Sequence, residues 1–144
     1  MIVRDILTIK GGDIYSARPT QSLSDAVRLM VEHDIGSLVV KDSDTMVGLI
    51  TERDVLRELV RHGCDVTKLS VSDLMITEPI IAGLDDTVDY VRGVMTEHRI
   101  SHMPVFDEDR LIGIISFHDV AKACLREANF ENLLLKRYIK HWPE

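Results

Sequence analysis

The chain has 144 residues, 45% of them hydrophobic, and a formal net charge of −7 at pH 7. That length suits one compact domain, or two small halves sharing a core. The acidic balance, with no run of Lys and Arg, argues against a nucleic-acid partner, and the apolar runs are too short for a membrane span. Cys64 and Cys124 are too few for a disulfide framework, which points to a reducing cytoplasm. The start, Met1-Ile2-Val3-Arg4-Asp5, has no basic stretch followed by an apolar run, so no signal peptide is expected. A small phosphorylated ligand stays compatible with this composition, because a local pocket can be positive on an acidic protein.

In chain order, the first extended segment is Ile14-Tyr15-Ser16-Ala17. Ser22 or Ser24 caps a helix whose Leu23, Ala26, Val27, Met30 and Val31 fall at helical spacing. Leu38-Val39-Val40 reads as a buried strand, Asp42-Ser43-Asp44-Thr45 as a polar turn, and Met46 to Ile50 as the return strand of a hairpin. Thr51 caps a helix expected to bury Val55, Leu56, Leu59 and Val60 and to stop at Gly63. The same order then recurs. Pro79-Ile80-Ile81-Ala82 is extended. Thr87 caps a helix carrying Val88, Val91, Val94 and Met95. Met103 to Phe106 and Leu111 to Ile115 form a hairpin, and Ser116 starts the last helix. Phe130, Leu133, Leu134, Tyr138 and Ile139 give the stretch from Phe130 to Trp142 an apolar face, which either caps the module or meets a partner.

The recurrence is an internal repeat at an offset of about 65 residues. Gly48-Leu49-Ile50-Thr51-Glu52-Arg53-Asp54 matches Gly113-Ile114-Ile115-Ser116-Phe117-His118-Asp119. Val3-Arg4-Asp5-Ile6-Leu7 matches Val71-Ser72-Asp73-Leu74-Met75 at a slightly larger offset. The first copy therefore carries a short insertion, placed around Lys10-Gly11-Gly12. The expected divisions are repeat one at 1–63, a linker at 64–70, repeat two at 71–127 and a helical extension at 128–144. Each repeat reads βαββα, giving a mixed α/β (α+β) fold. One half alone cannot bury both faces of its sheet, so the halves are expected to pack about a pseudo-twofold axis.

Thr51 and Ser116 end strands and begin helices, where free backbone N–H groups and the helix dipole favour an anion. Their hydroxyls can donate to a phosphate. Asp54 and Asp119, one turn later, can accept from both hydroxyls of a ribose. Gly48 and Gly113 permit close approach in the preceding strand. Ser/Thr-x-x-Asp is also a helix-capping arrangement. The duplication and the shared Gly-aliphatic-aliphatic lead favour a ligand role for it.

With these motifs, together with Ile35-Gly36-Ser37-Leu38-Val39-Val40 and Ile100-Ser101-His102-Met103-Pro104-Val105, the chain resembles the cystathionine-β-synthase (CBS) domain pair, or Bateman module, from about Val3 to Glu127. The resemblance implies a regulatory, non-catalytic module. It would bind an adenosyl ligand such as AMP, ATP, NAD(H) or S-adenosylmethionine as effector, need no cofactor, form a flat homodimer and signal to an unidentified regulated protein. It assigns ribose binding to Asp54 and Asp119, and the accompanying hydroxyl to Thr51 and Ser116. The leading-segment position falls on Ser16 and Ile81, and the basic strand position on His102, with Ser37 as its counterpart. Many relatives carry Arg where this chain has Ser101. The resemblance groups Asp119 with Ser116, His102 and Ser16, and Asp54 with Thr51, Ser37 and Ile81, so the Asp119 cleft is expected to bind more tightly.

Arg53, His118 and Arg18 are candidate phosphate contacts. Surface solvation is an equal reading for Arg53 and His118, and exposed charge is the favoured reading for Arg18 and Lys10. His98 and His102 straddle a helix-to-strand boundary with no further ligands nearby, so no metal site is expected. Ser116, His118 and Asp119 contain triad residue types, but adjacent positions at one helix start cannot form a relay. No catalytic residue is assigned. The competing reading is a structural or interaction module whose clefts hold no nucleotide.

Overall fold

The computed structural model describes residues 1–63 and 65–140. Cys64 and Trp142 lie outside the described residues. Cys124 is a free thiol.

Two three-stranded sheets carry the chain, one per repeat. In the first, β1 (Ser16–Ala17) runs parallel to β2 (Ser37–Asp42), which pairs antiparallel with β3 (Thr45–Thr51). In the second, β4 (Ala82–Gly83), β5 (His102–Asp107) and β6 (Arg110–Ser116) repeat the pattern. The helices α2 (Leu23–Glu32) and α5 (Val88–His98) follow the first strands, and α3 (Glu52–Arg61) and α6 (Phe117–Lys140) follow the hairpins. Ser22 caps α2 and Thr87 caps α5 by accepting from the backbone N–H three residues on. The equivalence extends to irregularities. Both hairpins shift register at matching points, after Val40 and after Val105. Asp34 and Arg99, and Ser43 and Glu108, adopt positive φ at matching turns. Register also places Ser37 opposite Thr51 and His102 opposite Ser116.

The sequence assigned no element to the two matching openings. They are helices, α1 (Val3–Lys10) and α4 (Val71–Leu74), and each packs into the other repeat. Val3 and Ile6 lie in the core of Val88, Val91, Met95, Met103, Val105, Ile115 and Val120. Val71 and Leu74 lie in the core of Leu23, Ala26, Met30, Leu38, Val40 and Ile50. Paired backbone bonds fix the exchange: Val3 N–H donates to Asp86 O and Val71 N–H to Gln21 O, each at 2.9 Å. The glycines of the repeated motif make room for these helices. A Cβ on Gly48 would stand 2.9 Å from Ile76 O and Met75 Sδ, and one on Gly113 2.8 Å from Leu7 Cδ2.

Two burial expectations fail. Val55 is buried, but Leu56 is 61% and Val60 85% exposed. Val55 and Leu59 lie four apart on the face that meets the core, whereas Leu56 and Val60 lie about 100° around the helix from them and stay exposed. Nor do the described residues of the C-terminal stretch, 130–140, cap the module. They continue α6 without a break, and Phe130, Leu133, Leu134, Leu135 and Ile139 are all exposed. Among the described residues, no helix is long and apolar enough to cross a membrane.

Candidate functional site

A cavity of about 610 Å³ opens where the two repeats meet. The starts of β2 and β5 bring Gly36, Ser37, Ser101 and His102 to its wall, and the start of α6 brings Ser116, His118 and Asp119. The segment before β1 adds Ile14 and Tyr15, and α1 adds Lys10. Tyr15 is stacked on His33, with ring centroids 4.0 Å apart. Gly36 allows the two repeats to touch here. A Cβ at that position would lie 2.9 Å from His102 Cε1 and 3.1 Å from Glu52 Oε1.

Asp119 both caps its helix and faces the cavity. Its Oδ2 accepts from Ser116 N–H at 2.8 Å, while Ser116 Oγ accepts from Asp119 N–H at 3.1 Å. Oδ1 has no hydrogen-bond partner among the described residues. Asp54 has the same arrangement, with Oδ2 accepting from the Thr51 N–H at 3.0 Å and hydroxyl at 2.9 Å. Asp5 and Asp73 cap α1 and α4 in the same way. Capping therefore occupies one carboxylate oxygen and does not compete with a ligand for the other.

Lys10 is exposed, as expected, but it is not without a partner. Its Nζ donates to Asp119 Oδ2 at 2.7 Å and to Ile114 O at 2.8 Å. The cause is local. Leu7 seats on Gly113, and Lys10 follows at i+3 on the same face of α1, reaching the carboxylate six residues after that glycine. The much shorter α4 supplies no equivalent to Asp54. Although burial opposes it, Lys10 and Ser116 hold the Asp119 carboxyl below the usual carboxylate range. Burial lowers the His102 imidazole, and Lys10 adds to that against the opposing pull of Glu52 and Asp119.

Of the sequence-derived candidates, Ser116, His102, His118 and Asp119 come together here with Ser37. Ser37 was expected with Asp54. It lines the Asp119 cavity because β2 and β5 start side by side at the junction of the repeats. Ser16 is exposed and does not line this cavity, and its segment contributes Ile14 and Tyr15 instead. Thr51, Asp54 and Ile81 do not line it, nor do the exposed Arg18 and Arg53. Sequence reading missed Tyr15 and Glu52, and it weighed Lys10 only as exposed charge. The Leu7-to-Lys10 spacing beside the insertion was the one available signal.

The pattern of the CBS domain matches residues 3–61 and 71–126. The chain is 31% identical to the mitochondrial CBS domain-containing protein CBSX3 of Arabidopsis thaliana, over 96% of this chain and 71% of that protein. It superposes on the CBS-domain containing protein ATU1752 of Agrobacterium tumefaciens with TM-score 0.82 and 36% identity, covering 85% and 92% of the two chains. It also resembles the CBS domain pair of protein MJ0100, solved with 5′-methylthioadenosine and S-adenosyl-L-methionine, with TM-score 0.77, 27% identity and coverage of 88% and 98%. With both repeats matched and the exchanged-helix architecture in place, the chain belongs to the CBS domain family as a tandem pair.

Proposed function

We propose that this chain is a regulatory, non-catalytic module that binds an adenosyl ligand of the AMP, ATP, NAD(H) or S-adenosylmethionine class in the Asp119 cavity. The observation that carries the reading is the convergence of Asp119, Ser116, His102 and Ser37 on one cavity of about 610 Å³, within the usual range for small-ligand sites of roughly 300–1,000 Å³. Asp119 Oδ1 accepts a ribose hydroxyl. Ile14, Tyr15 and Ile35 supply the apolar and aromatic wall for adenine. His102, His118 and the start of α6 face an attached phosphate. The adenosyl ligands solved with the related MJ0100 pair support this class. Asp54, Thr51 and Ile81 belong to a second, weaker cleft. Ser16, Arg18 and Arg53 stand outside the Asp119 cavity and carry no contact in this reading.

The test is calorimetric titration with AMP, ADP, ATP, NADH and S-adenosylmethionine, beside Asp119→Asn. Asn keeps the capping oxygen but loses the charge that holds the ribose. Binding to the wild type, weakened by about tenfold or more in Asp119→Asn and unchanged in Asp54→Asn, supports the proposal. Tight binding that survives Asp119→Asn rejects it.

Assembly as a homodimer, which relays the ligand state to a regulated protein in the cytoplasm, is part of the same proposal. Leu56 and Val60 on α3, Val31 on α2 and the apolar face of α6 are exposed, and such patches mark association surfaces. Light scattering is expected to give twice the 16.3 kDa chain mass. A monomer at micromolar concentration counts against the dimer.

A further inference from the structure

Behind Asp119 lies a second cavity, of about 290 Å³, between α1 and α6. Its apolar part is Met1, Ile6, Ile9 and Ala123, and its polar part is Lys10, Asp119, Lys122 and Arg126. Asp119, Lys122 and Arg126 recur at i, i+3 and i+7, so one face of α6 supplies all three. Lys10 already neutralises Asp119 at 2.7 Å. Lys122 and Arg126 have no hydrogen-bond or ion-pair partner among the described residues. Other arginines on this chain, Arg28, Arg57, Arg61 and Arg92, sit beside a carboxylate at i−3. Two unpaired cations therefore face one cavity on a chain of net charge −7. The Met1 ammonium, which also lines the cavity, is paired with Glu127 at 2.7 Å, so Lys10, Lys122 and Arg126 against Asp119 leave a surplus of two positive charges.

We infer that the α1–α6 cavity is an anion site for a phosphate-class dianion, held by Lys122, Arg126 and Lys10. The guanidinium of Arg126 matches two phosphate oxygens, and the two ammonium groups act as point charges beside it. The apolar part admits the ester side of a phosphate monoester. Lys10 and Asp119 line both cavities, so the dianion has two sources. It is a free anion, or it is the terminal phosphate of a nucleotide whose ribose lies at Asp119 and whose first phosphate faces His118. The second source rests on the function proposed above, and the first does not.

The experiment titrates the whole chain with pyrophosphate, with adenosine and with ADP, in buffer free of divalent cations, by calorimetry. The comparison is Lys122→Gln/Arg126→Gln, both exposed positions outside the core. Arg28→Gln/Arg92→Gln is the charge-matched control on α2 and α5. Pyrophosphate binding weakened about tenfold or more in the first variant, with the control and adenosine binding unchanged, supports a free-anion site. Equal weakening of ADP with adenosine spared identifies the nucleotide's own phosphates. If the wild type binds neither pyrophosphate nor ADP, or if the control loses as much as the variant, the site is overturned. Absence of adenosine binding with pyrophosphate binding retained rejects only the adenosyl reading.

Discussion

The most discriminating perturbation is one substitution made at two equivalent positions. In Gly48→Ala the new Cβ would stand 2.9 Å from Ile76 O, about 0.4 Å inside the roughly 3.3 Å at which carbon meets a carbonyl oxygen. That oxygen is backbone and cannot turn away. It accepts from Leu49 N–H at 2.9 Å, and Ile76 N–H donates back to Leu49 O at 2.8 Å. Overpacking of this kind costs about 1–3 kcal/mol, and each strained hydrogen bond adds up to roughly 1 kcal/mol. Removing a strand glycine returns about 0.5–1 kcal/mol. The net expectation is a loss of about 2–3 kcal/mol, or roughly 5–10 °C in Tm for a chain of this size. In Gly113→Ala the nearest atom is Leu7 Cδ2 at 2.8 Å, with Cδ1 at 3.3 Å. These are the ends of a partly buried but rotatable side chain, which can move for about 0.5–1.5 kcal/mol. The glycine term offsets most of that, so the net change stays within about 1 kcal/mol. Urea unfolding of both variants measures the difference. Equal losses, or a larger loss at Gly113, refute the argument that backbone contact sets the cost.

Two further predictions concern charge. Lys10→Met removes the ammonium that holds the Asp119 carboxyl down, so the Asp119 titration followed by carbon NMR is expected to move up toward the ordinary carboxylate range. Lys10 is about a third exposed, so the stability lost at neutral pH stays below about 1 kcal/mol; an unmoved titration defeats the assignment. His102 is lowered in the folded chain, so between its folded value and the unfolded value of 6.5 the unfolded state binds more protons. Its contribution to stability is full above that window and is lost as pH falls through it. A phosphate placed beside His102 reverses the preference and draws a proton in. Nucleotide titrations in buffers of different ionisation enthalpy are therefore expected to show proton uptake below neutral pH, and equal heats in all buffers contradict it.

Much of this fold can be read locally. Leu23, Ala26 and Met30 announce the buried face of α2 by spacing alone, and Ser22, Thr51 and Thr87 mark helix starts because capping is a contact between near neighbours. The repeated Gly-x-x-hydroxyl-x-x-Asp is legible for the same reason. The docking partner of Val3 or Val71 is not. Either helix could lie on either core, since both cores present aliphatic side chains, and only the tertiary exchange decides. The site follows the same division. Ser116 and Asp119 are neighbours in sequence and were found together. Ser37 and Lys10 enter from other elements, Ser37 through the meeting of β2 with β5 and Lys10 through the extra length of α1. Leu56 and Val60 misled because an apolar side chain at helical spacing signals burial without saying whether the covering surface belongs to the same chain.

The exchanged leading helices also order the events of synthesis. The first core lacks Val71 and Leu74 until the ribosome has passed the linker, so residues 1–63 emerge with a wedge missing from their sheet. The second core needs Val3 and Ile6, which were made first and must wait, apolar and unplaced, until β5 and β6 exist. Neither half can close ahead of the other, and folding is expected to be a single late, cooperative event rather than two sequential ones. A cut between Val66 and Thr67 would leave two fragments, each holding the piece the other lacks. Mixed, they have a route back to the native pair. Kept apart, each could complete its core only by trading its leading helix with another copy of itself.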